Sequence, residues 1–268
     1  MPFTGSHPAA VLPLLRTGLP ASALVAGSTA PDLPFYLPVD LGVPTHTALA
    51  VVTTDVLLGG ALWALWHGLL SRPALAWAPG SVTARLPAAA APGLGRRLRT
   101  PAQGVRLVTA LAAGAATHVL WDEFTHPGRW GAENVPALSA TWAGEAGYSW
   151  AQDLSGVVGA LVLAGWLARW WRRTPAAPSA GSRPGWWLPW TALAGTAAVA
   201  GAVAATGAPD VRSGAVAAAF AGGGAALGTA VLLALAETVR AGTRQRVTPP
   251  RGPLPGRRGR RRPAAPPP

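Results

Sequence analysis

Five apolar stretches, near residues 48–70, 105–121, 155–171, 187–205 and 213–236, set the terms on which this chain can fold. Each is long enough, or nearly so, to cross a hydrocarbon layer of about 30 Å at about 20 helical residues. Hydrocarbon offers no partner to backbone N–H and C=O groups, so such segments must close their own hydrogen bonds as helices. The composition agrees: 12% of the 268 residues are charged and 50% are apolar, too little charge to solvate an ordinary globular surface. The expectation is an all-α, polytopic helical membrane protein with about five transmembrane helices.

Charge placement supplies an orientation. The net charge of +12 comes from 22 basic residues, every one an arginine. If the stretches alternate in direction, 19 of the 22 fall on one side: those from Arg72 to Arg106, from Arg169 to Arg183 and from Arg240 to Arg262. Arg16, Arg129 and Arg212 fall on the other. Cationic loops resist translocation, so the chain is expected to be a multi-pass protein with its N-terminus outside and its tail cytoplasmic. Tryptophans mark both boundaries, Trp121, Trp130, Trp142 and Trp150 at outer ends and Trp166, Trp170, Trp171, Trp186, Trp187 and Trp190 at inner ends. The basic charge therefore reads as topology signalling and attraction to anionic lipid headgroups. No aromatic interleaving points to specific nucleic-acid binding.

Three regions follow. Residues 1–155 form a module carrying the candidate site, residues 156–240 a C-terminal three-span helical region, and residues 241–268 a basic, Pro-rich tail. The tail's "PPRGPLPGRRGRRRPAAPPP" cannot build a packed core and is expected to be disordered. At the other end, "GLPASALVAGSTA" has the look of a signal-peptide core, yet no positive charge precedes Arg16, and Pro2, Pro8, Pro13 and Pro20 interrupt the stretch. Residues 7–30 are expected instead as two short helices, joined around Pro20 and packed at the outer face.

The residues able to do chemistry gather at that face. The chain has no cysteine, so a bound metal must be held by nitrogen and oxygen. Four of its five histidines fall at or near the outer boundary, and only His67, twenty-one residues beyond His46 and so roughly 30 Å along the span, lies far from it. In "THVLWDEFTHPGRWG", His118 and Asp122 are four residues apart and share one helix face, a spacing that lets both grip one ion. Pro127 and Gly128 stop the helix, which leaves His126 to fold over the same ion or to reach a second. Asp32 of "GSTAPDLPFYLP", His46 of "VPTHTALA" and His7 of "FTGSHPAA" are the remaining candidates. Any of these taken singly is an ordinary turn aspartate, cap or solvated interfacial side chain. Asp55 sits nine residues past His46, roughly 13 Å deeper, where a carboxylate needs a partner. A contact from Asp55 that orients the His118 imidazole would supply one. Glu123 is a candidate general base and Arg129 a candidate contact for an anionic substrate group.

The boxes "MPFTGSHPAAVLPL", "GSTAPDLPFYL", "THTALAVVTTDVLLG", "THVLWDEFTHPGRWG" and "GYSWAQDLSG" resemble a family of uncharacterised bacterial integral membrane proteins classed as a domain of unknown function. More distantly, the order His, Pro-Asp, His and His-x-x-x-Asp is similar to bacterial inner-membrane metal-dependent hydrolases, themselves likened to zinc-dependent phospholipase C. By position that similarity implies His7, Asp32, His46, His118 and Asp122 as metal ligands. Where those proteins continue Pro-Asp-x-Asp-His, this chain reads "APDLPFY", and His126 is the candidate replacement. The implied function is a membrane-bound hydrolase, with a divalent metal, zinc by preference, acting on a phosphoester or related bond of a lipid or amphiphile at the outer leaflet. The alternative is a non-enzymatic transporter or assembly factor whose His and Asp residues hold a structural metal or a polar network. A ligand cluster at one boundary, away from the midplane, counts against a transporter.

Overall fold

The computed structural model describes residues 4–86, 93–178 and 181–247. Among these residues five helices are long and apolar enough to span a membrane: Ala50–Ala76, Pro101–Asp122, Gly147–Arg173, Leu188–Ala205 and Val211–Arg240. We refer to them as the first to fifth spans. The protein is an all-α polytopic membrane protein, and the only strands among the described residues form a small hairpin, Thr141–Trp142 with Glu145–Ala146, in the loop before the third span. The helix of the fifth span runs on to Val247, past residue 240, where the helical region was expected to end. Residues 248–268 lie outside the described set.

Local sequence fixes where the spans begin and end. Thr100 accepts from the backbone N–H of Gln103 while the Gln103 side chain reaches back to the Thr100 N–H, a capping box reinforced by Pro101 at the first helical position. That start sets the register of the second span, and hence the heights of His118 and Asp122 at its other end. Beyond Asp122, Gly128 takes φ +73°, a conformation that turns the chain out of the helix. The first span is less regular. It opens with a 3-10 turn, Ala50–Val52, and contains a π turn, Trp66–Leu70, before continuing to Ala76.

The N-terminal residues form a hairpin inserted among these spans. Its descending arm, Thr4–Thr17, is wound as a 3-10 helix containing Pro8 and Pro13, and its returning arm is the α-helix Ala21–Thr29, entered through Pro20. At about 2.0 Å per residue a 14-residue 3-10 arm is about 28 Å long, close to the hydrocarbon thickness. The turn accordingly meets the opposite ends of the spans. Arg106 donates to the Gly18 carbonyl. The Ser22 hydroxyl accepts from Trp63 Nε1 at 3.1 Å and lies 2.9 Å from His67 Nε2. The hairpin was expected to pack at one face only; it starts and finishes at the cluster-bearing end, but its turn reaches the opposite ends of the spans. Arg16 moves with the turn and lines a cavity together with Arg169, so it belongs with the arginine-rich end.

Two glycines allow the returning arm to press against the second span. A Cβ on Gly27 would collide with the Leu111 carbonyl, and one on Gly114 with the Leu24 carbonyl. Around this crossing Val11, Leu24, Trp63 and Leu111 form a buried apolar core. The third span closes the other side of the hairpin, with Gly159 against Ser6 and Trp121 Nε1 donating to Ser155 at 2.9 Å. The fourth and fifth spans pack on one another through Gly201 against Ala218 and Gly222 against Ala197. Tyr36 seats the fifth span on the rest, its ring over Gly223 and its carbonyl against Gly224.

Candidate metal centre

The crossing at Gly27 and Gly114 places one helical turn of each partner side by side. Ser28 and His118 meet first: His118 Nδ1 donates to the Ser28 carbonyl at 2.7 Å. A carbonyl only accepts, so Nδ1 carries a hydrogen, and Nε2, on the opposite side of the ring, is the position open to a proton or a metal ion. One turn further along each element stand Asp32 and Asp122. His118 Nε2 lies 3.5 Å from Asp32 Oδ1 and 3.2 Å from Asp122 Oδ2. His46 Nε2 completes the ring, 3.1 Å from Asp32 Oδ1 and 3.4 Å from Asp122 Oδ2. His7 stacks on His118 with ring centroids 3.7 Å apart and puts its Nε2 3.7 Å from Asp122 Oδ1.

All five residues are buried, His7 and His118 completely. Two sets of three donors, His7 with Asp32 and His118, and His46 with His118 and Asp122, have ligand atoms within 4.8 Å of one another. Several donors have no hydrogen-bond partner: both nitrogens of His7, Nε2 of His118 and Oδ1 of Asp122. Unsatisfied buried acceptors facing one another are costly. A positive charge between them, a proton or a metal ion, removes that cost, and imidazole and carboxylate donors without thiolate suit a divalent transition metal. The cluster can therefore hold a metal ion. Burial first, then the facing His118, push the pKa of His7 down to about 3, which leaves one ring nitrogen with a free lone pair at ordinary pH. Burial alone would raise the carboxyl of Asp32, but His118, His46 and Thr4 together hold it well below the usual carboxylate range. The Thr4 hydroxyl donates to Asp32 Oδ2 at 2.5 Å, leaving Oδ1 for the centre.

His46 is held in an uncommon backbone conformation, φ +60°, without being glycine. Arg129 Nη1 donates to its carbonyl at 2.8 Å and Thr45 Oγ1 lies 2.9 Å from its Nδ1, which fixes both backbone and ring. Arg129 also lies 3.4 Å from Glu123 Oε1, while Glu123 Oε2 accepts from the Trp130 N–H at 3.0 Å. Both Glu123 oxygens take part in folding the loop.

Two further expectations are corrected. Asp55 is fully buried near the cluster, but neither of its oxygens has a hydrogen-bond partner. The orienting contact to His118 comes from the Ser28 carbonyl instead, because the returning arm lies nearer that nitrogen than the first span does. His126 stands beside the cluster, its Nδ1 3.3 Å from Asp122 Oδ1, but outside both donor sets. Arg212 Nη2 donates to Gln152 Oε1 at 2.6 Å, which turns the Gln152 amide N–H₂ toward His126 Nε2 at 3.3 Å. Nδ1 then carries the ring hydrogen, 3.2 Å from Thr125 Oγ1, and no free lone pair faces the centre. Gln152 and Arg212 were invisible to sequence spacing. Ser28 had one faint signal, its position one turn before Asp32.

A polytopic helical membrane protein with a buried His and Asp cluster at one end of its spans is what fold and site together define. Residues 1–237 match the family described as Domain of unknown function (DUF4184), and the chain belongs to that family. No curated protein matches the chain, and no solved structure does.

Proposed function

We propose that the protein is a membrane-bound, metal-dependent hydrolase that cleaves a phosphoester or related bond of a lipid or amphiphile at the outer leaflet of a bacterial plasma membrane. The observation that carries this reading is the convergence of buried donors in two groups of three, His7 with Asp32 and His118, and His46 with His118 and Asp122. Four donors at about 2.0–2.1 Å around a tetrahedral zinc ion lie about 3.3 Å apart. Within the group of His46, His118 and Asp122 the two His-to-Asp separations are 3.4 and 3.2 Å. A zinc ion held there supplies Lewis acidity that brings the pKa of a water in an open position to about 7.

The protein's own residues do the rest. Ser28 and Thr45 orient two imidazoles, and Thr4 orients one carboxylate. His7 is neutral, stacked on His118 and beside Asp122 Oδ1, a place from which it can ligate or hold a proton. Arg129 uses Nη1 on His46 and keeps its other N–H groups for an anionic substrate oxygen. A lipid substrate is supported by the height of the centre, at the last turn of a spanning helix. The arginine bias supports an outward-facing site with the tail inside.

A non-catalytic reading, with a structural metal in a transporter or assembly factor, draws support from the complete burial of His7 and His118. Metal analysis and a phospholipid hydrolysis assay on the purified full chain separate the two. The hydrolase reading expects one or more equivalents of divalent metal and release of a lipid headgroup, both lost in Asp122→Asn and both retained in Glu145→Gln, which alters the exposed strand hairpin. Metal without hydrolysis selects the structural reading. No metal in the folded wild type sinks both.

A further inference from the structure

Away from the metal cluster, an apolar groove of about 540 Å³ runs down the hairpin, walled by the first and third spans. Its upper limit is marked by Pro8 and Thr29 and its lower part by Leu12, Leu15 and Trp166. Those last three residues also line a second cavity of about 610 Å³ at the hairpin turn, where Arg16 and Arg169 stand with no carboxylate in the lining. Neither arginine has an ion pair or hydrogen bond among the described residues. Two unpaired guanidiniums therefore sit at the mouth of a groove shaped for a hydrocarbon chain, with the amphipathic Trp166 at the junction.

We propose that this groove and its arginine mouth bind one anionic phospholipid from the leaflet at the arginine end. Arg16 and Arg169 hold the phosphate, and one acyl chain lies against Leu12, Leu15 and Val25. Charge complementarity selects the headgroup, because guanidinium forks match phosphate oxygens and nothing in the mouth competes for them. The apolar groove selects the chain, because its walls from the hairpin and the two spans leave only carbon surface to cover. The lipid thus fills the seam between the N-terminal hairpin and the third span, and it does so whether or not the metal cluster is catalytic.

The test uses the full chain extracted in mild detergent and titrated with phosphatidylglycerol or with phosphatidylcholine of the same acyl chains, bound lipid being counted by native mass spectrometry. Wild type should retain one phosphatidylglycerol, roughly thirtyfold more tightly than phosphatidylcholine, the preference expected of two basic groups at a membrane surface. Replacing both arginines, Arg16→Gln with Arg169→Gln, should bring phosphatidylglycerol down to the phosphatidylcholine level. Val25→Trp, which fills the groove without changing charge, should remove retention of both lipids. An unchanged unfolding temperature of all three proteins in lipid-free detergent reports an intact fold. Equal retention of the two lipids by wild type, binding of many lipids with no step at one, or retention that survives both variants overturns the proposal.

Discussion

Asp122 offers one oxygen to His46 and His118 and the other to His7 and His126, so four imidazoles converge on a single carboxylate. Asp55, equally buried, touches none of them through a hydrogen bond. Loss of a residue that orients a metal ligand typically costs roughly 10 to 100-fold in metal affinity. Asp55→Asn should fall short of that range in a competition titration against a chelator, because the ligand-orienting hydrogen bond belongs to Ser28. A loss of a hundredfold would show that Asp55 reaches the centre in the metal-bound protein. The same residues show why part of the site was legible and part was not. His118 and Asp122 announce themselves through a four-residue spacing, and His7, Asp32 and His46 through their scarcity and shared boundary. The Ser28 carbonyl carries no side-chain signature at all. His126 looks like a ligand from its spacing alone, and only Gln152 and Arg212, from two other spans, settle its tautomer.

For the elements, the decisive contact is the crossing of the returning arm and the second span, where Gly27 and Gly114 let two backbones approach as Gly-rich membrane interfaces do. Gly114→Val should push the arms apart and cost about 1–3 kcal/mol, the usual range for overpacking. The sharper readout is the centre itself: bound metal should drop while the chain still inserts, since the five apolar segments remain. Full metal occupancy in Gly114→Val would mean that the crossing does not position the ligands. Hydropathy foretold five spans and their order, and the ends it misjudged have physical reasons. The third span starts at Gly147, not near 155, because Gln152 and Asp153 lower its apolar score although both are satisfied by Arg212. Hairpin depth was not legible, since Pro8 and Pro13 hide a continuous arm from any search for α-helical periodicity.

Across the whole molecule, arginine placement and fold agree on two unlike ends. Moving Arg16 to the turn of the hairpin leaves Arg129 and Arg212 as the described arginines at the end that carries the cluster, and both hold structure there, on His46 and on Gln152. Reporter fusions in the connection before Pro101 and in the turn near Asp210 test the orientation. The first should report cytoplasm and the second the exterior. The reverse pattern would move the centre to the cytoplasmic side and with it any substrate.

The hairpin also imposes an order on biogenesis. His7 and Asp32 leave the ribosome long before His118 and Asp122, yet their resting place is a seam whose other wall is the second span. A nascent chain shorter than that span offers the hairpin only the first span, through Trp63 and His67 on Ser22, so the crossing at Gly27 and Gly114 forms late. A centre built from the first and the latest of these residues then acts as a seal on assembly, closing only in chains whose early spans have reached their final arrangement.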